Sequence, residues 1–320
     1  MTPNHPRTLS FCPNTWGLAL AAALLLTGCG DRPEAAPPHA GDPVSETFSD
    51  APATPVSGPT FSESLAAGRA DLSFFFVPAG GFAYRDDAGH LTGVTVELLR
   101  DFAGWVAETH GLEVAITWIE EELWADFYSY VRDSRGGAFG IGNVTITHAR
   151  RREIDFSPPY MQNIAVLVTH EDVPELESLE AIGQAFAGLT ALRYPGTLHE
   201  ARLEAIGRRH FPGMDFQTIS SNDELVSALA AGPESFGYID IYNYWRAREA
   251  GRPLRRHPVG DDAAETFGVI LPDDSDWTPV ITAFFEADGG YAESERFRRL
   301  LREHLGEELA ALLLGEAEGG

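Results

Sequence analysis

From about residue 68 onward, short apolar runs of strand length alternate with amphipathic helical stretches, and no other feature narrows the fold as far. Asp71 to Val77 reads as a buried strand, and the Pro78-Ala79-Gly80-Gly81 after it as a loop. Val94 to His110 reads as a helix, with Val96, Leu99, Phe102 and Val106 on one face and Gly111 as its stop. Residues 114–119 then read as a strand, 121–131 as a helix and 139–146 as a strand leading into Thr147. Further on, Leu189 to Leu192 is a strand and Leu198 to Arg209 a helix. Ser221-Asn222-Asp223-Glu224 is a capping box opening a helix that ends at Gly232-Pro233. Strands at 236–241 and 267–271 and helices near 276–287, 293–304 and 306–314 complete the pattern. Such alternation predicts an α/β protein with parallel sheets. No internal repeat is present.

The residues before this pattern are of another kind. Arg7 is the only charged side chain ahead of an apolar run from Trp16 to Leu26. That run is shorter than the roughly 20 residues a bilayer span requires, so residues 1–28 read as a signal peptide. It ends in Leu26-Thr27-Gly28-Cys29, which resembles the bacterial lipobox. Cleavage before Cys29 would leave that residue carrying lipid; an ordinary cleavage site with an incidental cysteine is the alternative. Cys12 leaves with the signal, so no disulfide is expected. Residues 29–67 are rich in Pro, Ala, Ser and Asp. Such a composition buries too little apolar area to offset the entropy of ordering, and reads as a tether. The expected location is the periplasm or cell envelope, lipid-anchored to a membrane.

Charge narrows the partners. There are 48 acidic and 23 basic side chains, a net charge of −25, and every basic residue is an arginine. A chain this acidic offers no footprint to a phosphate backbone, so nucleic acid is excluded as a partner. The ten histidines make no HxH, HxxxH or HExxH spacing, and no metal or other cofactor is expected. His148, His199 and His210 read as solvated or helix-end residues. Trp105, Trp118, Trp124 and Trp245 read as core, although Trp118 and Trp124 could reach a cleft.

The most informative segment runs from Gly140 to Tyr160. Its strand ends at Ile146, and Thr147 suits the N-cap of a short helical turn. Arg150, Arg151 and Arg152 then fall in the first turn, where the helix dipole favours anions and disfavours cations. Arg151 and Arg152 read as solvated. An arginine beside free N–H groups, by contrast, makes a seat for a carboxylate, which a planar guanidinium grips with two parallel hydrogen bonds. Arg150 is that candidate.

Thr147-His148-Ala149-Arg150 followed by Asp155-Phe156-Ser157-Pro158-Pro159-Tyr160 resembles the signature of the bacterial solute-binding proteins of the amino-acid-binding class, family 3. Supporting it in the same order are Phe82-Ala83-Tyr84, Gly93 to Leu99, Pro195 to Glu200, and Gly237-Tyr238-Ile239-Asp240; the resemblance covers about residues 68–308. It implies the two-lobed periplasmic-binding-protein type 2 fold. Lobe 1 would span 68–165 and lobe 2 166–264, with 265–320 returning to lobe 1 and forming the C-terminal helices. Two crossing strands would join the lobes. It further implies that Arg150 grips a ligand carboxylate, with contacts from Thr145 and the Asn143 carbonyl. Thr197, at a helix start in lobe 2, would donate to the same carboxylate, and Asp240 would pair with an ammonium group. Thr197 as a plain helix cap, Asp240 as a strand-end cap and Thr145 as a neutral strand residue are the structural alternatives.

Three positions depart from the family pattern. Leu198 replaces a common second hydroxyl, and Phe139 stands where aspartate is common. Ala79-Gly80-Gly81 removes an aromatic wall that Phe82 or Tyr84 would have to supply. The resemblance implies a non-enzymatic protein that captures an amino acid or similar small carboxylate and delivers it to the membrane permease of an ABC transporter. Two alternatives stand beside it: a membrane sensor as the partner, or a cyclohexadienyl dehydratase using a general acid among Glu97, Glu200 and Asp240.

Overall fold

The computed structural model describes residues 43–316. The predicted signal peptide, Cys29 and residues 29–42 of the predicted tether lie outside the described residues.

In chain order the elements of lobe 1 are β1 (Val44–Phe48), α1 (Phe61–Ala67), β2 (Arg69–Phe76), α2 (Val94–His110), β3 (Glu113–Glu120), α3 (Trp124–Asp133) and β4 (Ala138–Thr145). Strand β5 (Met161–His170) then carries the chain into lobe 2. There follow β6 (Thr190–Arg193), α4 (Leu198–Arg209), β7 (Phe216–Thr218), α5 (Asn222–Ala231), β8 (Ser235–Asp240), α6 (Ile241–Glu249) and β9 (Leu254–Arg256). Strand β10 (Asp262–Leu271) returns, and α7 (Thr278–Glu286), α8 (Glu295–Leu305) and α9 (Glu307–Leu313) close the described chain.

The strands run in the order β1-β3-β2-β4-β10-β5-β8-β6-β7, with β9 on the far end of β5. β1 to β4 pair in parallel, as do β8, β6 and β7, each group linked by the helical crossovers that parallel pairing demands. The two crossing strands, β5 and β10, are antiparallel, aligning Met161 with Phe267 and Asn163 with Glu265 before the register slips ahead of Asp262.

Both faces of each sheet are covered, which is why the strands read as continuous apolar runs. Phe74 and Phe76 point to the face carrying Leu99 and Phe102 of α2, while Phe75 points to Phe127 and Val131 of α3. In lobe 2, Phe236 and Tyr238 meet Leu203 and Ile206 of α4, and Ile239 meets Leu225 and Leu229 of α5. Each such side chain contributes about 1.5–3 kcal/mol by burial, enough to make the lobes firm walls for what lies between them. Phe139 belongs to this interior, fully buried with its ring edge-on to Phe74 and Trp277.

The tether is shorter than its composition predicts. Val44 to Phe48 adds to the open edge of the sheet beside β3, and Glu46 accepts hydrogen bonds from Trp118 Nε1 (2.9 Å) and Arg100 Nε (2.8 Å). Thr60 and Glu63 then form a capping box for α1. Residues 43–67 thus belong to lobe 1. Pairing on an existing edge uses backbone N–H and C=O groups and asks little of the side chains, so composition alone does not reveal it.

Candidate functional site

In open α/β sheets, ligands bind in the crevice beyond the carboxyl ends of the strands, and two such ends face each other here. The end of β4 brings Gly142, Asn143 and Thr145; the end of β8 brings Asp240. With Arg150, Trp124, Tyr194, Thr197, His199 and Tyr242 they enclose an inner chamber of about 50 Å³. Trp124, Asn143, Tyr194, Asn222 and Tyr242 also line an adjoining outer chamber of about 380 Å³. At about 10–15 Å³ per water-sized body, the inner space suits a group of a few heavy atoms and the outer one a side chain.

Arg150 opens a short 3-10 turn whose N-cap position is Ala149 rather than the expected Thr147, although Thr147 Oγ1 still accepts from the Arg150 N–H at 3.1 Å. Its Nη1 donates to the Thr145 carbonyl at 3.0 Å. Its guanidinium carbon lies 4.9 Å from the centre of the Trp124 ring and 5.5 Å from that of Tyr128. Burial pushes its pKa below the ordinary arginine value. Among the described residues no carboxylate comes within 4 Å of it. A desolvated guanidinium held by a carbonyl and two ring faces has donors left for an anion. Arg151 and Arg152 are exposed.

Asp240, 9% exposed, is the last residue of β8 and stands at the N-cap position of α6, yet its side chain caps nothing there. Oδ1 accepts from Asn163 Nδ2 at 2.5 Å and lies 3.4 Å from His199 Nε2. The same Asn163 amide donates to Glu265 Oε2 at 2.8 Å. Glu265 in turn accepts from Arg202, which also donates to Asp262 at 2.9 Å. The chain of contacts holds three carboxylates against one guanidinium, and the Asp240 end faces the chamber.

Asn143 has φ 52°, a left-handed conformation that asparagine tolerates better than most side chains. Its amide is committed on both sides: Nδ2 donates to the Tyr242 hydroxyl at 2.9 Å, and Oδ1 accepts from the Tyr160 hydroxyl at 3.0 Å. Tyr242 belongs to lobe 2 and also packs its ring 4.5 Å from Phe82 of lobe 1, so it bridges the lobes. Thr197 is the N-cap of α4. Its hydroxyl donates to the Tyr194 carbonyl at 2.7 Å and accepts from the Glu200 N–H at 3.4 Å, so its proton is committed within the lobe. The first backbone N–H groups of α4, those of Leu198 and His199, have no intrahelical partner.

Five of the six residues expected in the site, Arg150, Thr145, Asn143, Thr197 and Asp240, line one chamber. Tyr84 does not. Its hydroxyl meets His304 Nδ1 at 3.1 Å, so it is taken up by α8 rather than by the cleft. Of the other acidic candidates, Glu97 pairs with Arg100 at 2.7 Å and accepts from Thr92, and Glu200 accepts from the Gly196 N–H at 3.0 Å. Cys29 lies outside the described residues.

The family model for bacterial extracellular solute-binding proteins, family 3, matches residues 78–293. The chain belongs to this family. Solved structures agree on the fold. The arginine-, lysine-, histidine-binding protein of Geobacillus stearothermophilus is 17% identical, with a TM-score of 0.58, covering 74% of this chain and 96% of its own. The ligand-binding core of GluR0 from Nostoc punctiforme, in complex with L-glutamate, is 16% identical at a TM-score of 0.56, over 74% and 100%. An ancestral amino-acid-binding protein described as a precursor of cyclohexadienyl dehydratase is 16% identical at a TM-score of 0.56, over 76% and 98%. No curated protein sequence matches.

In this solute-binding protein the sequence pattern missed two walls of the chamber, Tyr194 and Tyr242, and read a third, Trp124, as core that could reach a cleft. Trp124 supplies the aromatic face expected from Phe82 or Tyr84, with Nε1 donating to the Gly142 carbonyl at 3.1 Å. Its place at the first residue of a helix was the available signal. Tyr194 and Tyr242 had none beyond being aromatic residues next to recognised motifs. His199 is 8% exposed and stacked on Tyr238, a buried neighbour of Asp240 rather than a solvated residue.

Proposed function

We propose that the protein is an extracytoplasmic, lipid-anchored binding protein that captures an α-amino acid or a similar small carboxylate. One observation carries this: a half-buried guanidinium, Arg150, with no carboxylate partner among the described residues, and a buried carboxylate, Asp240, stand on opposite lobes around a chamber a few heavy atoms wide. That charge pattern complements a zwitterion. The α-carboxylate goes to Arg150 and to the Leu198 and His199 N–H groups, and the ammonium to Asp240 and the Asn143 carbonyl. A ligand touching both lobes stabilises the state in which they are together, and no covalent step is required. The loaded protein then delivers its ligand to a membrane permease of an ABC transporter, with Cys29 as the lipidated residue.

The test is a thermal-shift and calorimetric titration of the mature protein with the common amino acids. At least one should raise the melting temperature, and Arg150→Ala should weaken it by 30-fold or more, as expected when one partner of a desolvated charge pair is removed. Equal binding by Arg150→Ala would overturn the assignment. Mass spectrometry of the N-terminus would reveal an unmodified Cys29 if the anchor is wrong.

A dehydratase reading has one feature in its favour, the His199–Asp240 pair facing the chamber, which could move a proton. Turnover of prephenate or arogenate by the mature protein would carry it; inert substrate together with amino-acid binding would end it.

A further inference from the structure

The outer chamber holds polar groups that a zwitterion's two charges leave unused. Arg246 lines it, one helical turn beyond Tyr242 on the same face of α6. Among the described residues its guanidinium makes no ion pair and no hydrogen bond. It lies against the backbone of Gly80 in lobe 1, so closely that a β-carbon at Gly80 would collide with it. Glu122 and Asp223 line the same chamber, yet neither comes within 4 Å of Arg246, and both are exposed. Two amide atoms in the lining are buried without a partner: Asn243 Nδ2, a donor, and Asn222 Oδ1, an acceptor. In folded proteins such groups are nearly always satisfied, and among the described residues nothing satisfies them.

The cleft therefore presents charges in sequence: Arg150 positive, Asp240 negative, Arg246 positive. Six residues of helix separate Asp240 from Arg246, a rise of about 9 Å. Helical side chains lean back toward the N-terminus, which shortens that gap. Given the zwitterion-binding function proposed above, we infer that the ligand is an acidic α-amino acid whose side-chain carboxylate is held in the outer chamber by Arg246 and Asn243. The glycine at position 80 is what lets the guanidinium lie there, since any side chain would displace it. Asn222 Oδ1 sits among these donors as an acceptor, a place a bound water can fill between it and the carboxylate.

Calorimetric titration of the mature protein with L-glutamate, L-aspartate, L-glutamine, L-arginine and L-lysine tests the inference. Glutamate or aspartate should bind tightest. Arg246→Gln should lose about 10- to 100-fold for the acidic ligands, as expected for a charge-assisted hydrogen bond, and little for glutamine. Gly80→Ala should reproduce that selective loss by displacing the guanidinium, with the arginine itself retained in the sequence. Arg246 is exposed and forms no bond within the chain, so both variants should keep the ligand-free melting temperature. Tightest binding of arginine or lysine, or an Arg246→Gln effect equal for all ligands or for none, overturns the inference. If glutamine or arginine binds with dependence on Arg150 alone, only this inference fails. If no amino acid binds, the zwitterion site fails with it.

Discussion

Asn163 is fully buried between two carboxylates, its Nδ2 2.5 Å from Asp240 Oδ1 and 2.8 Å from Glu265 Oε2. Asn163→Asp keeps the shape and replaces the shared donor with a third carboxylate. At an effective dielectric near 20, unit charges about 4 Å apart repel by about 4 kcal/mol, so two repulsions reach about 8 kcal/mol. Protonation limits the damage. Keeping a carboxyl neutral at pH 7, about three units above its ordinary value, costs about 4 kcal/mol, the smaller figure, so the variant takes up a proton on folding. A protonated carboxyl donates once, leaving one neighbour without its donor, about 2 kcal/mol more. The expected loss of stability is therefore about 6 kcal/mol at pH 7. In the variant the introduced group's folded pKa is raised above its unfolded value. Its penalty thus shrinks as pH falls toward the unfolded value, by about 2.7 kcal/mol between pH 7 and pH 5. Urea unfolding of the ligand-free mature protein and the variant at both pH values measures this. A gap that stays constant or widens at pH 5 would refute the crowding of carboxylates on which the reasoning rests.

Three further outcomes follow from the packing. Truncation through residue 49 should lower the melting temperature of the folded unit, because Arg100 and the Trp118 indole lose Glu46, roughly 2–4 kcal/mol for three partly exposed hydrogen bonds to a charged acceptor. Asn143→Ala should destabilise more than Asn143→Gly by about 1 kcal/mol, since both lose the two tyrosine contacts but only alanine resists the positive φ; equal losses would deny the strain. Burial holds His257 down to about 4, neutral between the Thr169 hydroxyl and the Leu176 N–H. A histidine whose folded pKa is depressed weakens the fold as pH drops from about 6.5 toward about 4, so His257→Gln should flatten the unfolding free energy across that window.

How far the site could be read before folding differed residue by residue. Arg150 was legible physically, because a cation in the first turn of a helix is out of place unless an anion is to join it. Thr145, Asn143 and Asp240 came through the family resemblance, and their surroundings did not. Asp240 is held by Asn163, 77 positions away in sequence, and the same amide holds Glu265, 102 positions beyond Asn163. Tyr84 sat in the right motif, but His304, 220 residues on, claims its hydroxyl. Among the elements, the 94–110 and 198–209 helices are marked by clean periodicity and stop signals. Helix α6 is not: it follows β8 without a break and buries only Ile241, Tyr242 and Ala247. Strand β5 alternates poorly, because Val166, Leu167 and Val168 are buried on both faces in succession.

The position of Trp124 has an optical consequence. Of the tryptophans in the described residues, Trp118 and Trp277 are sealed in the lobe 1 interior and Trp105 and Trp245 pack against it, whereas Trp124 lines both chambers. Its indole stacks on Tyr128, lies 4.9 Å from the Arg150 guanidinium carbon and borders the space a ligand would fill, so its emission should respond when a carboxylate arrives and water leaves. Ligand entry can then be followed by intrinsic fluorescence without a label. Trp124→Phe should silence most of that change, whereas a signal of unaltered size would place its origin in the other indoles and in movement of the lobes.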